Sequence, residues 1–171
     1  NLYTELILRT LGKSVPLTNP PANSVRTSED AGLEVIKMFL RSAGIRPDSL
    51  VLSDGSGLSR DGMITADATV QLLAFMSQHP HGEVFRAALP VAGVDGTLRN
   101  RMKGTVAENN VRAKTGSLSS ATSLAGYVTT AAGEQLAFAI IVNNYPRDVD
   151  ARALCIDPIA ILLASFAAKS E

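Results

Sequence analysis

A single cysteine, no net charge and no apolar run long enough to cross a bilayer bound what this chain of 171 residues can do. Cys155, in "RALCIDPIAILL", can close no disulfide within the chain and build no cysteine zinc site, so packing is its expected role. Sixteen basic side chains balance sixteen acidic ones. Sequence-independent binding to nucleic acid needs a clustered basic surface that releases counterions from phosphates. The densest basic group, Arg99, Arg101 and Lys103, has Glu108 close behind it, so no nucleic-acid partner is expected. The opening residues, "NLYTELILRTLGK", lack the basic region, apolar run and small-residue cleavage site of a signal peptide. They read as a helix already under way. A chain that starts on a helix cap, without Met or leader, reads as a fragment whose upstream part is missing.

With 46% hydrophobic residues the chain has enough apolar surface for one ordinary core. Asn1 suits an N-cap, and Leu2, Leu6 and Ile7 with Thr10 or Leu11 recur at helical spacing. After Gly12, "KSVPLTNPPANSVRTS" holds three prolines and predicts an exposed loop. Thr27 and Asp30 have capping-box spacing, and Leu33, Ile36, Leu40 and Ala43 share a face, which predicts a helix over 28–43 ending at Gly44. "SLVLSDGSGLSR" predicts a short strand running into a glycine-rich turn. Thr65 predicts the cap of a helix to about residue 78, with Val70, Leu73 and Ser77 on its buried side, and "GEVFRAAL" a shorter helix. A loop with a helical turn near 98–102 follows. "VRAKTG", "SATSLAGYVTTAAG" and "EQLAFAIIVNN" predict three strands, the last two joined by a tight turn at 132–134. A final helix over about 150–169 is interrupted at Pro158. A helical part over about 1–105, strands over about 111–144 and a last helix predict an α+β fold, an antiparallel sheet packed against helices.

Several stretches carry candidate chemistry. "SDGSGLSRDG" has glycine enough to approach a ligand with its backbone, yet it lacks the Lys-Ser/Thr ending of a phosphate loop and reads first as a turn. His79 and His81 flank a proline with no carboxylate cluster, so no metal site is expected there. Asp54, Asp61 and Asp95 stand in turn contexts where Asp caps its own backbone. Lys114-Thr115-Gly116 differs in kind. A lysine at the end of an edge strand supplies fixed positive charge, Thr115 a hydroxyl donor, and Gly116 a place where no side chain blocks a ligand lying along the strand. Those are the parts needed to bind an extended peptide that ends in a carboxylate.

In combination, "DGSGLSRDG", "LPVAGVDGTLRNRM" and "AKTGSLSSATSLAGYVTT", in this order and spacing, resemble the carboxy-terminal part of class C low-molecular-mass penicillin-binding proteins, the D-alanyl-D-alanine carboxypeptidase and endopeptidase family. "NLYTELILRTLG" is similar to the same family. The resemblance implies the β-lactamase/transpeptidase-like fold and three motifs around one cleft, Ser-x-x-Lys, Ser-x-Asn and Lys-Thr-Gly. Lys114, Thr115 and Gly116 match the third. Ser59 matches the serine of the second, with Asp61 where asparagine is expected, or Gly62 in a register one residue longer. The residues three before the five lysines are Thr10, Glu34, Asn100, Val111 and Phe166, so the first motif is absent from these residues and is expected upstream.

By the same resemblance the activity is acyl transfer on peptidoglycan stem peptides ending in D-Ala-D-Ala, with β-lactams as stalling mimics. Ser59 would relay a proton and Lys114 set the field. Thr115 and Ser117 would hold the terminal carboxylate, with the Ser117 N–H as one arm of the oxyanion hole, and Asp61 would contact the substrate backbone. The chain alone is expected to be inactive, no cofactor is called for, and the substrate implies an extracytoplasmic site. Two alternatives stand beside this: a catalytically impaired peptidoglycan-binding or scaffolding protein on the same fold, and a nucleotide binder built on the glycine loop.

Overall fold

The computed structural model describes residues 1–15 and 27–168, with Ser49 by its backbone alone. The proline-rich loop expected after Gly12 lies mostly outside the described residues. The chain divides into two compact units, Asn1–Ala68 and Thr69–Glu171.

In the first unit, helix α1 (Leu2–Ser14) packs on helix α2 (Ser28–Ser42). The helices meet where side chains vanish. A Cβ on Gly12 would collide with the Ser28 carbonyl, and one on Gly32 with that of Leu8. Gly12 therefore lies within α1, not at its end as the sequence predicts. The Leu2, Leu6 and Ile7 face expected to be buried is exposed, and Leu8 fills the contact instead, at 1% exposure. Helix α2 follows the sequence closely. Thr27 Oγ1 accepts the Asp30 N–H (3.1 Å) and the Asp30 carboxylate accepts the Thr27 N–H (3.0 Å), a complete capping box. Gly44, at φ +78°, ends the helix in the left-handed region. The strand expected before the glycine-rich turn is reduced to one antiparallel bridge between Val51 and Met63.

Helix α3 (Ala66–Gln78) starts where Thr65 Oγ1 accepts the Ala68 N–H, and it buries Leu73 but leaves Ser77 exposed, contrary to expectation. Helix α4 (Gly82–Ala87) is short. In the second unit, strands β1 (Arg112–Leu118), β2 (Ala121–Thr129) and β3 (Gln135–Asn143) form an antiparallel sheet in that order, so β1 is an edge strand. The turn between β2 and β3 is closed by the Gly133 N–H on the Thr130 carbonyl, with Gly133 at φ +84°. Ala113, Leu124, Val128 and Phe138 share one face and pack with Ile156, Ala160 and Ala164. The last two belong to helix α5 (Asp157–Ser165). On the opposite face Tyr127 is buried and donates from its hydroxyl to the Leu73 carbonyl (2.7 Å). The break expected at Pro158 is a π turn over Arg152–Ile156, where the Asp157 N–H reaches the Arg152 carbonyl just before the proline.

Candidate active site

The glycine loop of the first unit is built around two carboxylates. Asp54 accepts the N–H groups of Gly57 (2.9 Å), Leu58 (3.1 Å) and Ser59 (2.9 Å) and the Ser56 hydroxyl (2.8 Å). Burial raises the Asp54 pKa, and these hydrogen bonds, from Ser56 first and then from the backbone of Ser59, Gly57 and Leu58, outweigh it and hold the carboxyl below its ordinary range. Glu5, one turn into α1, accepts the N–H groups of Gly55 (3.1 Å) and Ser56 (2.9 Å) through Oε1, while its Oε2 is buried without a hydrogen-bond partner. A Cβ on Gly55 would lie 2.7 Å from the Thr4 carbonyl, so only glycine lets the loop sit this close to the helix. Ser59 and Asp61 come together here: the Ser59 hydroxyl oxygen accepts the Asp61 N–H (3.1 Å), and the Asp61 side chain is exposed. Sequence reasoning treated Asp54 as a turn residue, which it is, and missed Glu5, whose partners lie 50 and 51 residues away.

The second unit brings Lys114, Thr115, Gly116 and Ser117 onto β1. Lys114 is the third residue of the strand and not its end, since pairing with β2 continues to Leu118 opposite Ala121. Which backbone groups face outward follows from one hydrogen bond. The Ala113 N–H donates to the Pro90 carbonyl (2.9 Å), on the side away from β2. Backbone groups alternate along a strand, so the N–H and C=O of Thr115 and Ser117 also turn to that outer edge. The segment at Pro90 and Val91 covers the edge only as far as Ala113, through the Val91–Arg112 bridge. Beyond it the edge carries two residues at the two-residue spacing that strand addition uses.

Lys114 is exposed, and its Nζ donates to the Thr115 carbonyl (2.6 Å) on that same edge. The Thr115 hydroxyl donates to Thr97 Oγ1 (3.0 Å). A Cβ on Gly116 would meet only the Ser123 side chain, on the face that Lys114 shares. Thr97 was missed by sequence reasoning, and the one signal for it is its place in "VDGTL", a turn quoted for its resemblance alone. That turn is Gly96–Leu98, two residues before the helical turn the sequence predicts, and it is anchored by fully buried Leu98. Arg101, a little farther on, forms a two-point ion pair with Asp157 of α5, with Nη2 to Oδ1 at 2.5 Å. Among the described residues no three His, Cys, Asp or Glu side chains are grouped to hold a metal ion, and no helix is long and apolar enough to cross a membrane.

Comparison with known proteins agrees with the motifs. The D-alanyl-D-alanine carboxypeptidase of Actinomadura sp. is 45% identical over 143 residues, 81% of this chain and 26% of that protein. Penicillin binding protein 4 from Haemophilus influenzae superposes with a TM-score of 0.71 at 32% identity, over 80% of this chain and 32% of its own. A second structure of that protein, complexed with a β-lactam, has the same TM-score at 28% identity, over 96% of this chain and 37% of its own. A class A β-lactamase from Bacteroides cellulosilyticus, at 19% identity and TM-score 0.58 over 94% of this chain and 61% of its own, shares the fold. The chain spans between about a quarter and a third of the length of the curated relatives it matches. The expected α+β, β-lactamase-like fold therefore holds. Since residues 1–165 match its pattern, the chain belongs to the D-Ala-D-Ala carboxypeptidase 3 (S13) family.

Proposed function

We propose that this chain supplies the substrate-binding edge of a serine-type D-Ala-D-Ala carboxypeptidase or endopeptidase that acts on peptidoglycan stem peptides outside the cytoplasmic membrane. The observation that carries the reading is the far end of β1, whose outer edge has no backbone partner among the described residues. Thr115 and Ser117 turn their backbone groups outward and Lys114 places positive charge on that edge, and Gly116 is proposed to leave room for the ligand beside it. A peptide laid along this edge pairs with the strand and presents its terminal carboxylate to the hydroxyls of Thr115 and Ser117.

The chemistry proposed is acyl transfer. A serine oxygen attacks the carbonyl carbon between the two D-alanines, the C–N bond breaks, and the leaving amine takes a proton. Water then attacks the ester, its proton returns to the serine oxygen, and the shortened peptide leaves as its acid. The Ser117 N–H, which turns to the outer edge of β1, is proposed as one arm of the oxyanion hole. Ser59 is proposed to pass the proton to the amine: its oxygen accepts the Asp61 N–H, which leaves its own O–H as a donor. Asp61 is proposed to accept a substrate N–H. No serine stands three residues before any lysine of this chain, so the nucleophile and its base are proposed to come from outside these 171 residues, and the chain alone to be unreactive.

Intact mass after incubation with benzylpenicillin, for this chain and for the full gene product that carries it, tests the reading. The expected result is an adduct on the gene product and none on the chain. An unmodified gene product would overturn the catalytic reading and favour an impaired peptidoglycan-binding protein, for which Asp61 or Gly62 in place of asparagine is the cause. An adduct on the chain itself would overturn the missing nucleophile.

A further inference from the structure

Residues 91–111 form a closed loop beside the outer edge of β1, with its buried side chains in the core shared with the sheet. Its ends are joined by the Val91–Arg112 bridge, with the Ala92 N–H donating to the Val111 carbonyl (2.9 Å) and the Asn109 N–H to the Ala92 carbonyl (3.0 Å). Leu98, Met102 and Ala107 are buried and belong to the same cluster as Ala113, Leu124 and Ile156, so the loop is tied into the core beneath the sheet. Asp95 accepts the Val91 N–H (2.8 Å), and Glu108 accepts the Gly104 N–H (2.8 Å). Met102 at φ +59° sits in the left-handed region, which a long side chain occupies only where its surroundings hold it there; Asn109 at φ +60° is a residue type that adopts it readily. A loop whose buried side chains are set into a close-packed core is held in a fixed position.

This loop presents an exposed Thr97 to Thr115, hydroxyl to hydroxyl at 3.0 Å. We infer that Thr97 is a positioning residue that sets the Thr115 hydroxyl for the terminal carboxylate of a bound peptide or β-lactam, an inference that rests on the reading of Thr115 given above. A hydroxyl has one donor and two acceptor lone pairs. In the free protein Thr115 donates to Thr97. When Thr115 turns its O–H to a carboxylate, its oxygen is free to accept from Thr97, so the pair reverses by rotating two O–H bonds without moving a heavy atom. The Thr97 O–H then polarises the Thr115 O–H and strengthens its bond to the anion. The frame of buried Leu98 and the Asp95 tie holds Thr97 in place.

Thr97→Val removes the hydroxyl and keeps the branched shape, and Thr97→Ser keeps the hydroxyl. In the full gene product, Thr97→Val is expected to lower the second-order rate of acylation by benzylpenicillin about three- to tenfold, the worth of one hydrogen bond. Its Tm should stay unchanged, because the side chain is exposed, and Thr97→Ser should restore the rate. Thr97→Val acylating at the wild-type rate, or Thr97→Ser failing as badly as Thr97→Val, would overturn the inference. Thr115→Val separates the two levels. Slow acylation of that variant beside a normal Thr97→Val sinks only the role of Thr97, whereas normal acylation of Thr115→Val sinks the carboxylate-binding reading and this inference with it.

Discussion

The glycine loop over 54–62 and the β1–β2 hairpin are both candidate-site segments rich in glycine and hydroxyls, yet they are held in opposite ways. Carboxylates hold the loop: Asp54 gathers three backbone N–H groups and Glu5 two more. The hairpin is held by a backbone ladder over seven paired positions, from Arg112 opposite Tyr127 to Leu118 opposite Ala121. The first arrangement depends on ionisation. The second depends on how closely two strands approach, and is indifferent to acid. A binding edge that must keep its register gains from the second, and a turn whose task is to present side chains is adequately served by the first.

The sharpest way to break this comparison is at the glycines of the hairpin. A Cβ on Gly126 would overlap the Arg112 carbonyl and lie 2.6 Å from Ala113 Cα, so β1 itself must move. Gly126→Ala is expected to cost about 3 kcal/mol, the upper range for overpacking. That is a fall in Tm of roughly 6–12 °C for a protein of this size. Gly116→Ala should leave Tm within about 2 °C, because only the rotatable Ser123 hydroxyl is in its way. Thermal unfolding of the two variants side by side checks the contrast, and equal losses would refute it.

The next largest effect is expected in the loop. Asp54→Ala removes the acceptor for three N–H groups and the Ser56 hydroxyl. Those donors are partly exposed and turn to water, so the cost is about 1–2 kcal/mol, seen as a lower urea midpoint.

The smallest effect is a pH dependence. The folded-state pKa of Asp54 is depressed, so its contribution is present above the unfolded-state value of about 4 and is lost as the pH falls through the lower folded-state value. Urea midpoints between pH 7 and pH 3 should therefore decline less steeply below about pH 4 in Asp54→Ala than in the wild type. Parallel declines would mean that the Asp54 carboxylate is not held as described.

Much of the fold was legible because its signals are local. The Thr27–Asp30 box, the Thr65 cap and Gly44 each act within a few residues of the end they mark, and all three stand where expected. The three strands and the edge position of the Lys114 strand were legible too. What escaped was set by partners distant in the chain. The buried side of α1 was misread because periodicity marks an apolar stripe but not which stripe faces a neighbour. Here Gly32 and Gly55 open the space that Leu8 fills, and neither is close to it in sequence. Glu5 and Thr97 look like ordinary surface residues until the loop at Gly55 and the strand at Thr115 are placed beside them.

Family, the Thr27 and Thr65 caps, the three strands and the Lys114–Ser117 motif were therefore determined by the sequence alone, because each rests on residue type at short, definite spacing; Asn1 stands at the start of α1 but its side chain makes no capping hydrogen bond. The tertiary structure decided which side of α1 is buried, which carboxylates hold the glycine loop, and that residues 91–111 fold into a closed loop carrying Thr97 to Thr115. The reason is physical: those contacts depend on how closely two backbones approach, and that distance is set by packing across many residues, not by any one stretch of chain.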